Sequence, residues 1–130
     1  MASELYEKGT KIRREVMGDE YVDRALAGVD DFNREFQQMV TEHAWGAIWA
    51  RPGLPKKQRS LINLAMLAAL NRPEEFELHF RGALKNGCTL DELKETLLQI
   101  AVYCGMPAGV ASFRIARKIL DERKSAAGAT

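Results

Sequence analysis

Thiols and imidazoles are scarce in this chain: it has two cysteines, Cys88 and Cys104, and two histidines, His43 and His79. The cysteines show neither a C-x-x-C nor a zinc-type spacing, which fits a reducing compartment. The histidines stand 36 positions apart, so a metal site would have to borrow carboxylates from other segments, and none is expected. A Gly-rich phosphate loop, a G-x-S-x-G elbow and an H-E-x-x-H pair are all missing. Neither charge sign dominates: 19 basic side chains meet 18 acidic ones, and no block of five basic residues occurs. That balance argues against a chain built to neutralise a nucleic-acid backbone. Residues 61–70 form the longest apolar run, but Asn63 interrupts it and it is too short to span a bilayer. Residues 1–14 are charged throughout and lack the apolar core of a signal peptide. With 10 Gly and 4 Pro, a collagen-like or disordered composition is also out of view. These absences lead to an expectation of one cytoplasmic globular domain.

Alternation of apolar and polar residues, the mark of half-buried strands, is missing, and helical periodicity recurs instead. The pattern predicts six helices in an all-α bundle, with a core over about 30–123 and a helical extension over 1–29. Leu5, Ile12 and Val16 place a first helix near 3–17, ending at Gly18. Asp30 or Asp31 can cap a second, with Phe32, Phe36, Met39, Val40, His43 and Ile48 on one stripe. It stops before Pro52. A third helix over 56–70 is apolar almost all round after its first turn, as a central or subunit-interface helix would be. Pro73, Glu74 and Glu75 open a fourth, and Asn86-Gly87 ends it. Thr89-Leu-Asp-Glu92 is a capping box for a fifth helix, broken at 105–107. A sixth covers 108–123, and the tail 125–130 is expected to fray.

Candidates for chemistry cluster in two stretches. Glu75 and His79 are spaced i, i+4 on one helix face, where a carboxylate raises an imidazole pKa and fixes its tautomer for acid catalysis. The same spacing also describes an ordinary surface pair. His43 lies in His43-Ala-Trp-Gly-Ala-Ile-Trp49 beside a rigid Arg51-Pro-Gly loop. Trp45 and Trp49 are there either pocket walls or core anchors. Arg51, Arg59, Arg72 and Arg81 bracket both stretches, and guanidinium forks suit carboxylates, although each taken alone is also an ordinary surface residue. Cys104, before Gly105, is either a reactive thiol or a buried structural cysteine.

Joined together, these segments form a pattern. The block His43-Ala-Trp-Gly-Ala-Ile-Trp-Ala-Arg-Pro-Gly-Leu54, with Arg59-Ser-Leu-Ile62, Asn71-Arg72, Leu78-His-Phe-Arg-Gly-Ala83 and Ala101-Val-Tyr-Cys-Gly-Met-Pro-Ala108, resembles the 4-carboxymuconolactone decarboxylase family. The likeness runs along nearly the whole chain. It implies an all-α fold of the alkylhydroperoxidase-D type and self-association as a homohexamer or trimer. It also implies cofactor-independent decarboxylation of a small dianionic lactone in the protocatechuate branch of the β-ketoadipate pathway. Redox relatives carry C-x-x-C-x-x-x-H at the matching helix start; here those cysteine positions hold Arg72 and Glu75, and the histidine is His79. Dithiol chemistry is thereby excluded. The resemblance makes His79, Glu75 and His43 the expected catalytic residues. Arg51, Arg59, Arg72, Arg81, Trp45 and Cys104 are the expected substrate-binding residues. One departure stands in the last helix, where the family pattern Thr-Phe-His reads Ser112-Phe113-Arg114. Arginine cannot serve as an acid–base at neutral pH but can bind a carboxylate. That leaves two alternatives: a related lactone-processing enzyme on another aromatic-catabolism intermediate, or a non-catalytic oligomeric binding protein.

Overall fold

Caps and breakers divide the chain into helices throughout the residues the structure describes, 3–128, in a computed structural model. Seven α-helices and one π-helix form among them, and no strand does. None of these helices is long and apolar enough to cross a membrane. The chain separates into two compact units, Met1–Arg59 and Ser60–Thr130.

In the first unit, α1 (Glu4–Met17) begins at Ser3, whose hydroxyl accepts from the Tyr6 N–H, and ends at Gly18. The positive φ of Gly18 (93°) redirects the chain into α2 (Asp19–Ala27). The Asp30 carboxylate then accepts from the N–H groups of Phe32 and Asn33, forming the turn before α3 (Arg34–Met39). Without a break α3 widens into the π-helix Val40–Trp49, against which α1 packs. The crossing is close because both helices place glycine at it. A Cβ on Gly9 would collide with the Thr41 carbonyl, and one on Gly46 would lie 2.5 Å from the Leu5 carbonyl oxygen. Val16, Trp45 and Trp49 form the core, with Ile12, Met17 and Val40 against them.

The second unit holds most of α4 (Lys56–Ala69), then α5 (Pro73–Lys85), α6 (Leu90–Cys104) and α7 (Met106–Gly128). Pro73 opens α5, and Asn86 with Gly87 (φ 89°) closes it. Thr89 and Glu92 complete the capping box of α6 in both directions. Its core is built from Leu64, Phe76, Phe80, Leu93, Leu97, Ile100 and Ile119. Across α5 and α7, Arg81 meets Glu77 at 3.0 Å and Glu122 at 2.9 Å, while Lys118 meets Glu77 at 3.1 Å. At Gly109, α7 lies against Ala101 of α6 with no room for a side chain.

Several expectations need correction. Six helices become seven and a π-helix, because α2 is added and the second expected helix divides into α3 and the π-helix. Of the supposed stripe of that second helix only Val40 packs inward, while Phe32, Phe36, Met39 and Ile48 are exposed. The wider turn buries Thr41, Trp45, Gly46 and Trp49 instead. Gly105 alone (φ 105°) breaks the chain before α7, which runs from Met106 through Gly128 with no fray at 125. The expected fraying of 129–130 lies outside the described residues.

Candidate functional site

His79 sits half-buried on α5, with Nδ1 3.5 Å from the Asn63 side-chain nitrogen on α4. Burial pushes its pKa down from 6.5 to about 4, so the imidazole is neutral at pH 7. This reverses the expected upward shift. Glu75 stands exposed one turn earlier, and loss of solvent around the ring, not the charge of a carboxylate, sets the direction. Asn63 was legible in the sequence only as an interruption of an apolar run. A polar amide kept inside such a run, one helix away from a histidine, was the available signal.

Arg72 and Cys104 do come together, at a hollow of about 330 Å³ also lined by Asn71, Phe76, Pro107 and Ser112. Arg72 precedes α5 and donates to the carbonyl oxygens of Leu70 (3.2 Å) and Asn71 (3.5 Å). These contacts, with Asn71 in the left-handed region (φ 57°), fix the turn and set the Arg72 guanidinium against backbone carbonyls. Cys104 is exposed and free, which removes the buried-cysteine reading. Arg81 belongs to the ion network between α5 and α7, one of its terminal nitrogens donating to both Glu77 and Glu122. A larger hollow of about 840 Å³ lies between α6 and α7; it is mostly apolar, with Lys94, Arg114 and Arg117 at its edge. His79 lines neither hollow.

In the other unit, the Arg59 guanidinium donates to the Arg51 carbonyl at 3.3 Å, bringing these two together. The Nε of Arg59 is buried and has no hydrogen-bond partner among the described residues. His43 and Arg51 are exposed. Trp45 is 5% exposed and stacked on Trp49 at 4.9 Å, so its indole packs in the core of that unit. Among the described residues no group of three or more His, Cys, Asp or Glu is placed to hold a metal ion.

Residues 34–118, from the start of α3 into α7, match the Carboxymuconolactone decarboxylase family. The chain belongs to that family. Among its relatives, a 4-carboxymuconolactone decarboxylase of Acinetobacter baylyi is 42% identical over 90% of this chain and 87% of its own length. A nitrosuccinic acid decarboxylase of Metarhizium robertsii is 42% identical over 91% of this chain and 82% of its own. A 4-carboxymuconolactone decarboxylase of Pseudomonas putida is 54% identical over a shorter stretch, 32% of this chain and 85% of its own length. Within the carboxymuconolactone decarboxylase match fall His43, Arg51, Arg59, Arg72, Glu75, His79 and Cys104 together with Asn63.

Proposed function

We propose that this chain decarboxylates 4-carboxymuconolactone to the enol-lactone of the β-ketoadipate pathway, in the cytoplasm and without a cofactor. The observation that carries the reading is the likeness to the Acinetobacter protein of that name along 90% of the chain. In the reaction, the bond between the ring γ-carbon and its carboxylate breaks and CO₂ leaves. The electron pair moves through the ring alkene to the lactone carbonyl, whose oxygen becomes an oxyanion; a proton then adds at the α-carbon. The lactone is its own electron sink, so the chain has to bind, orient and stabilise charge. Arg72 suits the clamp on the acetate carboxylate, and Arg51 and Arg59 offer the same fork chemistry in their own unit. His79, neutral at pH 7, suits hydrogen-bond donation to the oxyanion. A neutral imidazole is a poor proton source, which leaves water to supply the α-carbon proton.

The test is release of CO₂ and loss of the lactone with purified protein. His79→Ala is expected to lower kcat by roughly 10²- to 10³-fold, the usual cost of an oxyanion donor. An inactive wild type sinks the substrate assignment; full activity in the variant removes His79 from the reaction.

A second reading is supported by the Metarhizium relative, whose identity equals that of the Acinetobacter protein. A small diacid bearing a nitro group also carries its own sink beside the departing carboxylate, and Arg114 in place of the family histidine fits a changed substrate. A panel containing both acids decides between them. Binding of the lactone without turnover of either acid would favour a binding protein.

Self-association as a homohexamer or trimer belongs to the same proposal. Val102, Tyr103, Met106 and Val110 are exposed around the turn between α6 and α7, and exposed apolar side chains of this kind support an interface there.

A further inference from the structure

We propose that Asn63 is a positioning residue for the decarboxylation: its side-chain amide donates to Nδ1 of His79 and holds the imidazole in the tautomer that carries its proton on Nε2. The inference rests on the reading above for the substrate, and on geometry for the tautomer. Asn63 lies between half-exposed Ile62 and fully buried Leu64, where an amide is costly unless it is hydrogen-bonded. The ring nitrogen of His79 is the side-chain partner it has there, at 3.5 Å. That separation is long for a hydrogen bond, and such contacts commonly tighten when substrate closes the site.

The electrostatic setting agrees. On its own helix His79 has Glu75, which is exposed, and Glu77 and Arg81. The last two are paired with Lys118 and Glu122 of α7. From α4 the neutral amide of Asn63 faces the ring. With reduced hydration the imidazole stays uncharged, in line with its lowered pKa. Such a ring offers Nε2–H to the oxyanion without losing the proton, and nothing has to be returned to it after turnover. A carboxylate at position 63 would do the opposite: it would accept Nδ1–H, leave Nε2 as an acceptor and raise the pKa.

The experiment combines nitrogen-15 NMR of the histidines with kinetics. The chain has two histidines, and a His43→Gln variant assigns the signals of His79. In the wild type at pH 7 the spectrum should show Nδ1 unprotonated and Nε2 protonated. Asn63→Asp should invert that pattern and lower kcat roughly 10- to 100-fold, the usual cost of losing the group that orients a functional imidazole. It should also move the acid limb of the kcat/KM profile to higher pH. Asn63→Leu should mix the tautomers while leaving KM near the wild-type value. Protonated Nδ1 in the wild type overturns the proposal whether or not the variants fold, and so does Asn63→Asp with an unchanged tautomer and pH profile. A wild type inactive on the lactone but holding the Nε2–H form would defeat the substrate reading, and with it the positioning role in that reaction, while upholding the tautomer that Asn63 sets.

Discussion

His79 gives the chain a measurable dependence on acid. Its folded pKa of about 4 lies below the unfolded value of 6.5, so between those values the unfolded chain binds a proton that the folded chain does not. Stability is therefore fully present above about pH 6.5 and declines as the pH falls toward 4, by at most about 3 kcal/mol. Urea titrations of the wild type and His79→Gln at pH 7 and pH 4.5 check this. The wild type should lose more stability on acidification than the variant, and equal losses would contradict the burial of the ring. Glu77 adds an acid-labile part of its own, its pKa lowered first by Arg81 and then by Lys118, and the comparison cancels it. As the group that governs His79, the sequence spacing pointed to Glu75 on the same helix. The group at the ring is Asn63, on another helix. An i, i+4 rule reports neighbours along one helix, whereas a contact between helices depends on packing that a single sequence does not display.

At the scale of elements, local chemistry was legible wherever it acts within a few residues. Pro73, Asn86-Gly87 and the Thr89–Glu92 box each mark the helix end that the structure shows. The π-helix was not legible, because nothing in the composition of Val40–Trp49 separates a wider turn from an α-helical one. Its counterpart lies in α1, where Gly9 makes room for the Thr41 carbonyl. The short α2 buries a single residue, Val22, and so leaves almost no periodic trace. Between α6 and α7 the decisive feature is again space. A Cβ on Gly109 would fall 2.6 Å from that of Ala101, and Ala101 sits on a helix backbone that cannot easily give way. Gly109→Ala should destabilise the chain by about 1–3 kcal/mol, the usual cost of overpacking. Gly53→Ala, with nothing within 4 Å, should stay within about 0.5 kcal/mol of wild type. Thermal melts of the two variants make the comparison, and an unchanged Gly109→Ala would mean that the helices part readily.

For the molecule as a whole, the exposed apolar side chains are the main feature left without a partner inside one chain. Val102 is 70% exposed and Tyr103 81%, and Ile62, Met66 and Leu70 of the α4 region are also exposed. The sequence admitted two readings of the apolar stretch 56–70, central helix or subunit interface. The structure shows why both had force: Leu64 is fully buried while its neighbours on the other face are not. Analytical ultracentrifugation should find the wild type at a multiple of 14.6 kDa and Val102→Glu at a lower mass. A monomeric wild type would overturn the assembly proposal.

The ion network between α5 and α7 has a consequence for how a dianion approaches. Glu77 and Glu122 cancel Arg81 and Lys118, so the four together carry no net charge and their field fades within a short distance. Arg72, which meets two carbonyl dipoles and no carboxylate among the described residues, keeps its positive charge along the lining of its hollow. In a chain whose formal charge is only +1, long-range guidance of an anionic substrate thus falls to a few such unmatched cations. Capture should therefore weaken as added salt shortens the Debye length.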